Sequence, residues 1–232
     1  MGQLVFRLAG ERAGNVEMSQ TSTLEFVTGH KADELVEWGM QIAEERILPR
    51  VYEDIVRVID THRERGDLTF LVTAAPVELA STIADALEMT GAIATVSEVD
   101  SAGYYTGRLV GAVMHGPEKA KAVAKAAADH GIDLADCSAY SDSMNDLPLL
   151  ESVGDPHAVN PEPELRRIAR VRGWHVHELR TRRRALLIGI PAGLGGAGVF
   201  ASGVAAGTWA ARRRAIKKHR GPVERLGRRF RI

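Results

Sequence analysis

The chain has 232 residues and a formal net charge of zero, since 30 Lys and Arg residues balance 30 Asp and Glu residues. The signs are separated: residues 1–179 hold 16 basic and 29 acidic residues, about −13, whereas residues 180–232 hold 14 basic residues and one acid, about +13. An acidic globular part argues against nucleic acid as a substrate, and the single cysteine, Cys137, excludes an internal disulfide and agrees with a reducing compartment.

The first 66 residues are predicted to be mainly helical. Apolar residues recur at helical spacing over residues 28–40, and a second helix is expected over residues 52–65. The opening segment, residues 1–17, shows no strand followed by an acidic loop.

The middle of the chain alternates strand and helix patterns. Strands are expected over residues 68–73, 92–97, 137–140, 158–159 and 175–179, and helices over residues 77–88, 118–130 and 162–172. This alternation predicts an α/β fold with a parallel sheet covered by helices on both faces. We assign this Rossmann-like core to residues 67–179.

Two carboxylates, Asp142 and Asp146, follow the strand at 137–140 and precede an apolar helical run. A carboxylate pair at the carboxyl end of a strand is a typical Mg²⁺ site in α/β proteins, because Mg²⁺ prefers oxygen ligands. Alternatively, Ser141 or Ser143 caps a helix and the two acids are solvated residues that favour its amino end.

The string Ser141-Asp142-Ser143-Met144-Asn145-Asp146-Leu147-Pro148 resembles the fourth motif of the haloacid dehalogenase (HAD) superfamily of hydrolases. The resemblance is closest to subfamily IB, which includes phosphoserine phosphatase. Two earlier segments resemble the second and third motifs in the correct order, namely the strand that ends near Thr73 and the run from Gly116 to Lys119.

The resemblance implies a Mg²⁺ cofactor bound by Asp142 and Asp146. It also implies that Thr73 hydrogen-bonds the phosphoryl oxygens and that Lys119 steadies negative charge, which suits a compact ammonium group. Without the resemblance, the favoured interpretation of Thr73 is the N-cap of the helix at 77–88, and Lys119 belongs to the solvated face of a Lys-rich and Ala-rich helix.

The family's first motif, Asp-x-Asp followed by Thr or Ser, is missing, because no two Asp residues of this chain lie two positions apart. The first Asp of that motif attacks phosphorus and the second acts as acid and base. We therefore expect a sheet that lacks its first, central strand, with residues 1–66 as the remnant of a helical cap. A start site placed too late in the gene is our favoured explanation, and a genuine truncated product is the other. A sheet without its central strand would expose two unpaired ladders and fold poorly.

Residues 185–210 are free of charge and long enough to span a bilayer, with Arg-rich flanks and Trp209 near one end. We predict a transmembrane helix here, a basic tail at 211–232 and a cytoplasmic enzyme domain anchored at its carboxyl end. The abundance of Gly and Ala leaves a flexible linker or a surface segment as alternatives.

The main functional hypothesis is a Mg²⁺-dependent phosphatase-type hydrolase that acts through an aspartyl-phosphate. Its substrate would be a small phosphomonoester, or a lipid phosphate if the anchor is real. The alternative is an inactive, membrane-tethered pseudoenzyme or binding module. A third possibility, lipid or nucleic-acid binding by the basic tail, predicts salt-sensitive association.

Overall fold

The computed structural model describes residues 3–6 and 27–179. Its main feature is a six-stranded, all-parallel sheet in the order β3-β2-β1-β6-β7-β8. The sheet strands are β1 (Gln3–Phe6), β2 (Leu68–Pro76), β3 (Gly91–Thr95), β6 (Ser138–Ser141), β7 (Asp155–Val159) and β8 (His175–His177). The helices are α1 (Ala32–Ile42), α2 (Glu53–Glu64), α3 (Val77–Ala86), α4 (Pro117–Asp129), α5 (Leu147–Ser152) and α6 (Pro163–Arg172). The predicted parallel α/β fold is confirmed.

The expectation of a missing central strand is wrong. Residues Gln3–Phe6 form β1, which lies between β2 and β6 and pairs in parallel with both. The physical reason is that β2 and β6 each present a row of backbone donors and acceptors, and the run Leu4-Val5-Phe6 supplies their partners. The two exposed ladders predicted from the sequence are therefore filled. The division of the chain at residue 66 stays a prediction, although residues 3–6 lie in the sheet.

A second, smaller sheet was not predicted. After β3 the chain forms an antiparallel pair, β4 (Ser97–Val99) and β5 (Tyr105–Leu109). The turn between them includes Gly103 at a φ of +87°, a backbone conformation that glycine adopts without steric cost. The sequence pattern had assigned residue 97 to the end of the preceding strand.

The two faces of the main sheet bury separate apolar cores. On β2, Leu71 packs into the core formed with α2 and α3, whereas Val72 packs into the core formed with α4, α5 and α6. Ala139 and Tyr140 of β6 divide between the same two cores. Adjacent residues of a strand point to opposite faces, so this division explains why neighbouring residues in the middle of each strand are both apolar.

The order of the strands fixes where a ligand can bind. The strand order reverses direction at β1, since one half of the sheet runs β1-β2-β3 and the other runs β1-β6-β7-β8. In open parallel sheets the ligand crevice forms at the carboxyl ends of the strands beside such a switch point. The ends of β2 and β6 therefore border the expected crevice.

The predicted transmembrane helix at 185–210 and the basic tail at 211–232 lie outside the described residues. Within the part that the structure describes, no helix combines the length and apolar character needed to cross a membrane.

Candidate active site

Lys119 lies in the first turn of α4, immediately after a tight entry into the helix. Gly116 precedes the helix with φ +52° and ψ −125°, a conformation that side-chain-bearing residues rarely adopt. Pro117 follows at the first helical position, where its missing N–H costs no hydrogen bond. The Gly-x-x-Lys pattern thus fixes the direction in which Lys119 leaves the helix.

The ammonium group of Lys119 forms an ion pair with Asp146. Nζ lies 2.8 Å from Oδ1 of Asp146, and the two side chains are 0% and 1% exposed. Lys and Asp are almost never fully buried unless they are paired. The solvated-face interpretation of Lys119 is therefore wrong for this structure, and the same holds for Asp146 as a solvated helix-start residue.

The second carboxylate oxygen of Asp146 is bound by Ser141, the last residue of β6. The Ser141 hydroxyl donates to Oδ2 of Asp146 at 2.7 Å, and its oxygen accepts from the N–H of Ser143 at 3.2 Å. Ser143 caps the single helical turn Met144–Asp146 by accepting from the N–H of Asn145. The capping interpretation therefore holds for Ser143, while Asp146 points into the protein.

Asp142 directly follows β6 and is half-buried. Its backbone carbonyl accepts from the N–H of Glu162 at 2.9 Å, and the Glu162 carboxylate accepts from the N–H of Met144 at 3.2 Å. Glu162 therefore binds the backbone of the loop at the residues on both sides of Ser143. This loop places Asp142 at the carboxyl edge of the sheet, one short turn away from Asp146.

Thr73 lies in β2, on the other side of β1 from the acidic loop. Leu71 and Tyr140 are both in register with Phe6, so Thr73 and Asp142 each lie two residues beyond a matched position. The Thr73 hydroxyl accepts from the N–H of Ala75 at 3.2 Å. Thr73 is not the cap of α3, because Pro76 occupies that position.

Two residues of this site escaped the sequence analysis. The sequence indicates Ser141 only as a possible cap, and Glu162 only as the first residue of the helix predicted at 162–172. The signal for Ser141 is its place at the end of a buried strand, one residue before the first acid. No local pattern marks Glu162, since its contacts span 18 residues of chain.

The donor set of the acidic loop suits Mg²⁺. Asp142 and Asp146 supply carboxylate oxygens, the ligands that Mg²⁺ prefers, and an ionised carboxylate keeps acceptor capacity after one hydrogen bond per oxygen. Lys119 neutralises one of the two negative charges, so the three groups together carry a charge of −1. A bound divalent cation would raise this to +1, which favours a phosphate dianion.

A family model for haloacid dehalogenase-like hydrolases matches residues 5–151, a range that includes Thr73, Lys119, Asp142 and Asp146. The chain belongs to this family.

Curated relatives and a solved structure support the assignment. A putative hydrolase of Mycobacterium leprae is 42% identical over 87% of this chain and 67% of the relative, and phosphoserine phosphatase SerB1 of Mycobacterium tuberculosis is 42% identical over 83% and 62%. The HAD chain thus spans about two thirds of their length. A Bordetella pertussis protein of unknown function is 37% identical, with a TM-score of 0.65 over 71% of this chain and 75% of that one.

Proposed function

We propose that this HAD-family chain carries the Mg²⁺-binding and charge-stabilising half of a phosphatase site that hydrolyses a small phosphomonoester. The observation that carries the proposal is the buried ion pair between Lys119 and Asp146, held by Ser141 beside Asp142 at the switch point of the sheet. Ligand crevices of parallel sheets lie at such a switch point, so a buried charged pair at this place favours a role in binding charge.

Each residue has a distinct role in the proposed reaction. Asp142 and Asp146 would hold Mg²⁺, which supplies charge neutralisation of the phosphoryl oxygens. Lys119 would stabilise the negative charge of the phosphate from within the protein, where the low dielectric strengthens the interaction. The hydroxyl of Thr73 would donate a hydrogen bond to a phosphoryl oxygen from the opposite side of β1.

The proposed chemistry has two steps and requires an Asp-x-Asp loop. An aspartate oxygen attacks phosphorus, the P–O ester bond breaks, and the second aspartic acid gives its proton to the leaving alkoxide. Water then gives a proton to the second aspartate and attacks the aspartyl-phosphate, which releases inorganic phosphate and restores the carboxylate of the first. In this sequence β1 is followed by Arg7, Leu8 and Ala9, so the 232 residues supply no such aspartate at that position.

We propose a small soluble phosphomonoester as the substrate, with L-phosphoserine as the first probe. The support is the 42% identity to a relative named phosphoserine phosphatase. Attachment to a membrane through residues 185–210 and a lipid phosphate substrate stay predictions from the sequence, and they form no part of this proposal.

A second candidate is a module that binds Mg²⁺ and phosphate without turnover. The observation that favours it is the absence of any Asp-x-Asp pair from the sequence. It keeps the same roles for Asp142, Asp146 and Lys119, but it predicts no release of inorganic phosphate.

The deciding experiment measures Mg²⁺ binding by calorimetry and hydrolysis of L-phosphoserine and p-nitrophenyl phosphate. Two chains are compared, namely the 232 residues and a chain extended by any in-frame upstream segment that encodes Asp-x-Asp. Variants Asp142→Asn and Asp146→Asn are matched with Asp33→Asn, an exposed acid of α1. We expect both loop variants to lose Mg²⁺ binding and the control to keep it.

The outcomes separate the candidates. Turnover in the extended chain that Asp146→Asn abolishes supports the hydrolase. Mg²⁺ binding with no turnover in either chain supports the binding module. If Mg²⁺ binding is unchanged in both loop variants, both candidates are wrong.

A further inference from the structure

The β7–β8 edge of the sheet carries a cluster of histidines that the candidate active site does not use. Asp155 and His157 lie on β7, and His175 and His177 lie on the edge strand β8. His157 is in register with His175, and residues two apart on a strand share a face. The sheet therefore presents three imidazoles and one carboxylate on the same side of two neighbouring strands.

Hydrogen-bond distances connect these side chains. Nε2 of His157 lies 2.8 Å from Oδ2 of Asp155, and Nε2 of His175 lies 3.5 Å from Oδ1 of the same carboxylate. One ligand atom from each of Asp155, His157 and His175 can be chosen so that all three lie within 4.8 Å of one another.

We propose that Asp155, His157 and His175 form a binding site for a divalent transition-metal ion of the Zn²⁺ type. Two imidazole nitrogens and one carboxylate oxygen are a common protein ligand set for Zn²⁺ with one further position left open. The nitrogen donors distinguish this site from the acidic loop at Asp142, whose oxygen donors suit Mg²⁺.

The distances from Asp155 suit a bound ion, and the ring that must move is that of His175. Zn²⁺ lies about 2.0–2.1 Å from nitrogen and oxygen ligands, so two ligands at a tetrahedral centre are about 3.3 Å apart. The separations of 2.8 Å and 3.5 Å from Asp155 lie on either side of that value. The ring of His175 stacks on that of His157, with centroids 4.7 Å apart and planes 18° apart, so it must turn out of this stack to point a nitrogen lone pair at the ion. The side chain of His175 is 63% exposed, which leaves room for that rotation.

Neighbouring groups orient the proposed ligands. Nδ1 of His157 lies 2.9 Å from Nε2 of His177, so a metal on Nε2 of His157 places the ring proton on Nδ1, where it is donated to His177. Ser138 donates to Oδ2 of Asp155 at 2.9 Å. The ring of Tyr140 stacks on His157 with centroids 4.2 Å apart and planes 8° apart, which fixes the ring's orientation.

The proposed site is separate from the candidate active site. Asp155 begins β7 and is in register with Ser138 at the amino end of β6, whereas Asp142 follows the carboxyl end of β6. Four residues of strand correspond to about 13 Å, and His157, which is in register with Tyr140, lies two residues before the level of Asp142. The Asp155 side chain is 47% exposed, so an ion can reach the cluster directly from solvent. A bound ion would tie the edge strand β8 to β7.

The test uses the full 232-residue chain without a polyhistidine tag, stripped of metal with a chelator. Zn²⁺ affinity is measured by competition with a chromophoric chelator, and Co²⁺ is added as a spectroscopic substitute that absorbs visibly when coordination is tetrahedral. His175→Ala and Asp155→Asn are compared with His130→Ala. His130 is an exposed histidine at the carboxyl end of α4. Asp146→Asn serves as the control for the acidic loop.

We expect one Zn²⁺ per wild-type chain and a visible Co²⁺ spectrum. His175→Ala and Asp155→Asn should each weaken Zn²⁺ binding at least tenfold and remove the Co²⁺ bands, whereas His130→Ala and Asp146→Asn should keep both. Circular dichroism of metal-free His175→Ala checks that the fold is intact, as its exposure predicts. Zn²⁺ binding that is equal in wild type and His175→Ala, or that is lost equally in His130→Ala, would overturn the proposal.

Discussion

Lys119 Nζ and Asp146 Oδ1 lie 2.8 Å apart with both side chains almost wholly inside the protein. The two residues are 27 positions apart in the sequence, one at the start of α4 and the other in the turn after β6. Burial makes each charge depend on the other, because neither has water to solvate it. A substitution that removes either charge should therefore change both the free energy of unfolding and the net charge of the candidate site.

Replacing Lys119 by Met should destabilise the protein by about 3–5 kcal/mol, because Asp146 would keep a buried charge without a partner. Urea unfolding monitored by circular dichroism measures this change. The double variant Lys119→Met/Asp146→Asn should be more stable than Lys119→Met alone, since no buried charge remains. Lys121→Met is the control, because the Lys121 side chain is 71% exposed, and it should change stability by less than about 0.5 kcal/mol. Equal losses for Lys119→Met and Lys121→Met would contradict the buried pair.

Replacing Ser141 by Ala should weaken Mg²⁺ binding by about 10- to 100-fold, because Ser141 orients the Asp146 carboxylate through its 2.7 Å hydrogen bond. Stability should fall by about 1.5–3 kcal/mol, the usual range for a buried hydrogen bond to a charged group. Calorimetric Mg²⁺ titration and urea unfolding give the two values. Ser101→Ala in the exposed β4–β5 turn should leave both unchanged. A Ser141→Ala protein with wild-type Mg²⁺ affinity would show that the carboxylate needs no orientation.

Ionisation of Tyr105 should lower the stability of the protein at alkaline pH. Burial, and then the hydrogen bond and negative charge of Glu78, raise the pKa of the Tyr105 phenol well above its ordinary value near 10. The folded state therefore keeps the proton longer than the unfolded state. This contribution to stability is complete below pH 10 and is lost progressively as the pH rises above it. Unfolding free energies from pH 8 to 11 should fall less steeply in Tyr105→Phe than in wild type, and parallel curves would refute this.

Val5→Pro should destabilise the 232-residue chain, because β1 is a central strand and proline removes one ladder hydrogen bond. The unpaired carbonyl of the neighbouring strand costs about 1–3 kcal/mol. Val5→Thr keeps the β-branched shape and the N–H, so it isolates the backbone effect. Thermal unfolding of both variants provides the measurement, and a Val5→Pro protein as stable as Val5→Thr would place β1 outside the sheet.

Local sequence patterns predicted most of the individual elements. The apolar β-branched run before Thr73 forms β2, the Ala-rich run after Gly116 forms α4, and the short run before Asp142 forms β6. Each depends on periodicity or on a Gly or Pro signal within a few residues. The same patterns missed the β4–β5 pair, because the strand pattern of β3 continues to residue 97 with no Gly or Pro to mark its end.

The sequence predicted which residues belong to the candidate site, but not the contacts between them. Asp142 and Asp146 were identified together because they share a short loop, but the contact between Lys119 and Asp146 had no local signature. The sequence indicates Ser141 only as a possible helix cap, whereas in the structure its hydroxyl donates a hydrogen bond to Asp146. Such contacts join elements that are distant along the chain, so they depend on how the helices pack on the sheet.

The amino-acid sequence alone determined the alternation of strands and helices, the order of the motifs and the absence of an Asp-x-Asp pair, because these are properties of neighbouring residues. Only the tertiary structure decided that Gln3–Phe6 fills the centre of the sheet and that β7 and β8 bring Asp155, His157 and His175 together. Strand order and register follow from long-range pairing of backbone groups and from burial on two faces, and neither is encoded in any short stretch of the chain.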